Sequence, residues 1–368
     1  MYFFFILKKL VSSKSSSKLK TDDDVNKLAK KIAEPIFNLR QYELNNQKKI
    51  LNSLISKHSM IEITEEQSNL VDFLITNVEL GLKEISNKLK NELDLKLGVE
   101  DEKNRHLTGV VRAGHAEKGT LLKTDDELNL IALISTWPNL NQVKQISNEL
   151  NQYINTNLKD KNLQLINDDK TIQNEACFYV KSDQYKVKIS FTSTELEKRD
   201  DQTCSNQLLL PSQKCIDQLE EIKRVQWFNS KLKKIENALT LLRIMREMCQ
   251  RTPTWSILND YLLELIIDKC FYKNKYDNLA LKFRTIFEFI SSGILFMSKS
   301  KNLISITSDN INMKSYEYIY LNDPCNHSND LIECLPLQKR EDLTLSAQHA
   351  LRLLAFNKID QILGIEND

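Results

Sequence analysis

Apolar residues recur every three or four positions over 23–57, where Val25, Leu28, Ile32 and Ile36 mark a helical face that Pro35 interrupts. Thr64 opens a longer helix. Gln67 stands three places on, the pairing in which each side chain takes up the other's free backbone N–H. Leu70, Phe73, Leu74, Val78 and Leu82 give this helix one apolar face. The period then changes. After a charged, polar linker at 97–107, strand-like runs lie near 108–113 and 128–134, a helix near 140–157, and strands near 163–166, 176–181 and 185–192. Leu128, Leu130, Ala132 and Ile134 alternate with Asn129 and Ile131, and Tyr185, Val187, Ile189 and Phe191 with Lys186, Lys188 and Ser190. Period two with one apolar side predicts strands with a buried face. A polar loop covers 194–212. From 213 the pattern is helical almost to the end, broken near Pro253 and across the polar stretch 298–325. The predicted fold class is α+β: a mixed α/β lobe followed by an all-helical lobe. The expected divisions are a solvated tail (1–21), N-terminal helices and linker (22–107), the α/β lobe (108–212) and the helical lobe (213–368).

Length and composition narrow the possibilities. The chain has 368 residues, room for one large bilobed unit, with 27% charged and 41% apolar residues. Its formal net charge is only +1. A chain that grips phosphate backbones over its whole surface is distinctly basic, so any nucleic-acid contact must be local or supplied by a partner. No basic–aromatic stripe of the kind found in single-strand binders runs along the sequence. The seven cysteines are scattered, with no Cys-x-x-Cys pair, and read as reduced thiols of a cytosolic or nuclear protein. The opening apolar run stops at Leu7, with Lys8 and Lys9 where a signal peptide's core would continue. No stretch approaches the ~20 apolar residues of a membrane span.

The candidate chemistry lies at 108–133. A strand, a glycine turn, three consecutive acids (Asp125, Asp126, Glu127) and an apolar strand follow one another. This is the layout of template-free nucleotidyltransferases, in which a Gly-Ser turn precedes an Asp-x-Asp strand and a third Asp stands on a later strand. Two Mg²⁺ ions need carboxylate oxygens from several directions, and alternate strand positions supply two on one face. On that template the chain offers Gly114-His115 at the turn, Glu127 and Asn129 at the Asp-x-Asp, and Lys188 at the third position. One carboxylate of three remains, and an ammonium at another position repels the ion. Pairing Asp125 with Glu127 instead leaves the third position unfilled. The triple acid therefore reads as a turn-and-cap feature, with no catalytic residues and no bound metal.

The helical lobe carries a more specific resemblance. The segments Trp227-Phe228, Leu242 through Trp255, Leu263-Glu264-Leu265, Asp323-Pro324-Cys325 and Arg340 through Phe356 are similar to the core of the DZF domain. That domain occurs in interleukin enhancer-binding factors, spermatid perinuclear RNA-binding protein and zinc-finger RNA-binding proteins. Arg112-Ala113-Gly114, Lys118-Gly119 and Leu121-Leu122-Lys123 look closest to the zinc-finger RNA-binding type, and the resemblance spans about 57–364. It implies a catalytically inactive nucleotidyltransferase fold that pairs through its helical lobe within RNA-binding complexes. The implied partner is an interleukin enhancer-binding-factor-like subunit in a heterodimer, and the implied setting is the nucleus and also the cytoplasm. The chain departs from the family at His115 and Asn129, and at Asn326, where a Glu commonly follows Asp-Pro-Cys. Residues 299–321, with Tyr316, Tyr318 and Tyr320, look inserted. Neither C2H2 fingers nor double-stranded-RNA-binding domains occur in these residues, so RNA would be reached through the partner or through modules outside them.

The wider superfamily implies further roles. Arg246 stands where active relatives place a basic residue on the triphosphate, and Tyr261 where an aromatic stacks the base. With Gly114, His115 and Lys118 they outline a site for NTP without metal, set against a helix-surface arginine and a core tyrosine. A residual nucleotidyltransferase or NTP-binding protein is thus the alternative to a non-catalytic pairing module, and the carboxylate count favours the module. Trp227, Trp255 and Phe356 are expected as core anchors and His349 as a structural histidine. The segment 340–363 has more apolar residues than one face of a surface helix carries. One stripe is expected on the helix around 241–248, and Ala347, Ala350, Leu351 and Leu354 at the pairing surface.

Overall fold

The computed structural model describes residues 43–97, 106–159, 162–194, 209–271, 278–293 and 331–365, together with Leu295, Leu321 and 323–326. The expected tail, the break at Pro35, most of the linker, most of the 194–212 loop and the tyrosines of the expected insertion lie outside these residues. The first described helix, α1, ends at residue 61, and α2 spans Glu65–Leu97. Both halves of the box at its start are made: Gln67 N donates to Thr64 Oγ1 at 3.2 Å, and Thr64 N to Gln67 Oε1 at 3.0 Å. Thr64→Ala should therefore cost about 1 kcal/mol, read as a shifted urea midpoint at unchanged slope.

Five strands follow: β1 (Leu107–Ala113), β2 (Glu127–Ile134), β3 (Gln164–Ile166), β4 (Cys177–Lys181) and β5 (Lys186–Thr192). They form one mixed sheet in the order β1-β2-β5-β4-β3, with β2 and β5 parallel and the other pairs antiparallel. Between them lie α3 (Gly114–Lys118), α4 (Leu140–Asn157) and α5 (Asp169–Glu175). The alternation read in β2 and β5 sends Leu128, Leu130, Ala132, Val187, Ile189 and Phe191 into a core shared with α2 and α4. The opposite face, through Ala113 and Ile131, meets Ile222 and Val225 of α6 (Ser212–Ser230).

The helical lobe comprises α7 (Ala238–Arg251), α8 (Asp260–Phe271), α9 (Leu279–Ser291), α10 (Leu337–Ala355) and α11 (Ile359–Leu363). Two helices sit differently from the divisions read in the sequence. The α6 helix lies on the sheet and sends only Trp227 and Phe228 into the helical core. The α1 helix belongs to the helical lobe: Ile50 and Leu54 join its core, Ser53 Oγ donates to Asp360 at 2.9 Å, and Lys57 pairs with Glu247 at 2.8 Å. The α10 helix packs mainly along α9, whereas periodicity placed it on α7. No described helix is long and apolar enough to cross a membrane.

Candidate functional site

At the end of β1 the backbone turns at Gly114 with φ +68°, and a Cβ there would lie 2.6 Å from Asn129 Nδ2. Only glycine suits both the left-handed conformation and the close approach. The β2–β5 register pairs Glu127 with Lys186 and Asn129 with Lys188. Glu127, Asn129 and Lys188 thus lie on one sheet face beside the Gly114 turn, where the template has its three carboxylates. The single carboxylate is shared with a cation, since Lys186 Nζ lies 3.6 Å from both Asp126 and Glu127. Among the described residues, no three His, Cys, Asp or Glu side chains gather as a metal-holding group. A pair of Mg²⁺ ions does not fit this donor set, because an amide and an ammonium replace two charged oxygen ligands.

Asp125 has a separate task. Its Oδ2 accepts from Leu122 N at 2.8 Å and from Arg246 Nη1 at 3.0 Å, and its Oδ1 accepts from Gln250 at 3.2 Å. It caps the turn and anchors the helical lobe. Arg246, only 4% exposed, also donates through Nε to Asp260 at 2.8 Å and through Nη1 to the Thr120 carbonyl at 2.6 Å. His115 completes the junction, with Nδ1 3.0 Å from Thr120 Oγ1 and Nε2 3.2 Å from Asp260 Oδ2. Burial works against ionisation of Asp260, but His115 and Arg246 outweigh it and hold the carboxyl well below the usual range.

A second cluster lies deeper. Lys118 Nζ reaches Glu264 at 3.0 Å and Glu221 at 3.3 Å, with Lys118 and Glu264 both buried. Burial pushes the Glu264 carboxyl up to about 7 against the pull of Lys118, while the two acids, outweighing burial, raise the lysine. Tyr261 donates its hydroxyl to Asp323, its ring lies under the Arg224 guanidinium at 4.5 Å, and it meets Trp227 edge-on at 6.0 Å. Burial and the Asp323 bond raise its phenol far above the usual range.

The structure therefore brings Gly114, His115, Lys118 and Arg246 to one junction, but three of the five expected nucleotide contacts are closed. Lys118, Arg246 and Tyr261 are buried and spend their polar groups on partners within the chain, so as arranged they join the lobes instead of lining an open pocket. The sequence gives no sign of Asp260 or Glu221, and it places Glu264 only within the DZF-like motif, without a role. Glu264 did leave a signal, as an acid inside the apolar run Leu262–Ile267.

The terminal helix also needs correction. Ala347, Ala350 and Leu354 are buried in the chain's own core and Leu351 is half-buried, so the first three cannot form a free pairing surface. The exposed stripe of α10 and its C-cap is Leu345, His349, Arg352 and Phe356. Phe356 is 72% exposed and no core anchor, whereas Trp227 and Trp255 are buried. His349 faces solvent instead of packing.

Known proteins of the same architecture include CdnC from E. coli MS115-1 with ATP, at 11% identity and TM-score 0.53, over 86% of this chain and 98% of that one. Cid1, described as an RNA terminal uridylyl transferase, matches at 12% identity and TM-score 0.51, over 86% and 98%. The Vibrio cholerae DncV cyclic AMP-GMP synthase matches at 9% identity and TM-score 0.50, over 83% and 93%. At these identities the likeness is one of fold: the chain has the nucleotidyltransferase architecture. The family models are more specific. The DZF N-terminal domain matches residues 38–233 and the DZF C-terminal domain residues 237–368. Their division keeps α6 with the sheet lobe, where its packing puts it. The chain belongs to the DZF family, with both of the family's domains on a nucleotidyltransferase fold.

Proposed function

We propose that this chain is a non-catalytic DZF pairing module of an RNA-binding protein complex, acting in RNA metabolism or gene regulation, chiefly in the nucleus. One observation carries the reading: Asn129 and Lys188 stand opposite each other on β2 and β5 at two of the three positions where this fold would hold metal-binding carboxylates. Lys118, Arg246 and Tyr261 support it too, because their polar groups are engaged inside the protein. The partner is a second DZF subunit of the interleukin enhancer-binding-factor kind. The free stripe of α10, with exposed Leu345 and Phe356 at its ends, is its docking face. Large apolar side chains left in water on a helix otherwise tightly packed suit an interface that closes in the complex.

The chemistry is tested directly. Purified protein with Mg²⁺ or Mn²⁺ should add no nucleotide to an RNA primer from any NTP. Template-free incorporation that disappears in Glu127→Ala would overturn the non-catalytic reading.

A further inference from the structure

The sheet face that carries Asn129 and Lys188 meets α6 at the C-terminal end of β5, where Thr192 Oγ1 donates to the Cys215 carbonyl at 2.6 Å, and continues from the start of β5 over β4 and β3. Directly opposed residues of neighbouring strands share a face. The register therefore builds two cross-strand rows, Lys186–Lys181–Gln164 and Lys188–Tyr179–Ile166. Gln164, Ile166 and Lys181 are exposed, and Tyr179, Lys186 and Lys188 half-buried. Strand geometry sets the rows roughly 7 Å apart and neighbours within a row about 5 Å apart. These six residues come from three separate strands, so the stripe exists only once the sheet has formed.

The charges do not cancel. Lys186 is shared by Asp126 and Glu127 at 3.6 Å each. Glu175, another acid acting on Lys188, is paired with Lys214 at 2.7 Å. Lys181 and Lys188 have no ion-pair partner among the described residues. Tyr179 stands between Lys188 on β5 and Ile166 on β3, an aromatic and an apolar residue side by side on the same face as the two lysines. Two ammonium groups without an ion-pair partner among the described residues, set beside an aromatic and an apolar side chain on one sheet face, are the elements that hold an unpaired nucleic-acid strand, cations on phosphates and a ring under a base. A duplex would offer Tyr179 no free base.

We propose that this three-strand face contacts single-stranded RNA, with Lys181 and Lys188 on phosphates and Tyr179 stacking a base. The assignment rests on the RNA-complex reading for its choice of ligand. It is tested with the purified full chain and a fluorescently labelled oligouridylate, by anisotropy between about 50 and 200 mM salt. The double variant Lys181→Ala/Lys188→Ala should bind more weakly, with the slope of log affinity against log salt shallower by about 1.4, near 0.7 for each lost phosphate contact. Tyr179→Leu should weaken binding by about 5- to 150-fold with the salt slope unchanged. Thermal melts matched to the parent protein accompany each measurement. No binding by the parent protein, an unchanged slope in the double variant, or preference for duplex RNA would sink the assignment. Failure here with an inactive primer-extension assay leaves the non-catalytic reading standing, whereas primer extension by the parent protein defeats that reading whatever this face binds.

Discussion

Replacing Arg246 by Met should lower the free energy of unfolding by about 3–5 kcal/mol, the usual cost of removing one partner from a buried, hydrogen-bonded ion pair. Methionine keeps most of the apolar stem, so the loss reports the guanidinium. Three acceptors lose the guanidinium together: Asp125, Asp260 and the Thr120 carbonyl. Asp125 is the costly one, because its side chain is only 12% exposed, whereas Asp260 at 48% can turn to water. The pH dependence reports on Asp260. The folded pKa of Asp260 is depressed, so its contribution to stability is fully present above the unfolded value, near 4, and is lost as pH falls through the folded value. Between about pH 5 and 3 the parent protein should lose more stability than Asp260→Asn, whose side chain does not titrate. Urea unfolding at a series of pH values measures both effects. A loss below about 1 kcal/mol in Arg246→Met would mean that the cluster is solvated and does not hold the lobes together.

The cluster also marks the limit of what the sequence discloses. The strands could be read because their burial is one-sided: Leu128, Leu130 and Ala132 repeat every second residue, and an extended strand is the conformation that puts alternate side chains on one face. The box at Thr64 and Gln67 was legible because it is local. The helices α3 and α5 were missed because five and seven residues are too few to carry a helical period. The roles of Lys118 and Arg246 were hidden for another reason. A charged side chain reads as surface by default, and what buries these two is a carboxylate 146 residues away in one case and 121 in the other. The glycine turn, the Asp-x-Asp positions and Lys188 could be aligned by spacing alone. That Lys188 joins Tyr179 and Lys181 on one sheet face depended on strand order, which spacing does not give.

The terminal helix went wrong on the same principle. Its excess of apolar residues was read as a core stripe plus a free stripe, on the assumption that one helix covers it. Two elements do: α9 packs along it, and α1, some 300 residues earlier, reaches its end, where Asn46 Nδ2 donates to the Leu354 carbonyl at 3.0 Å. Leu345→Asp and Leu354→Asp, nine positions apart on α10, should therefore behave oppositely. Leu354 is buried, and a carboxylate there has no partner, so the variant should lose at least about 4 kcal/mol and much of its soluble expression. Leu345 is 63% exposed, and its substitution should move stability by no more than about 0.5 kcal/mol. The same surface variant, combined with Phe356→Asp, should lower co-purification with a co-expressed second DZF subunit at least tenfold while the circular dichroism spectrum stays that of the parent. If the folded double variant captures its partner undiminished, the pairing surface lies elsewhere on the helical lobe. If Leu354→Asp is as stable as Leu345→Asp, the packing of α1 and α9 around α10 is wrong as well.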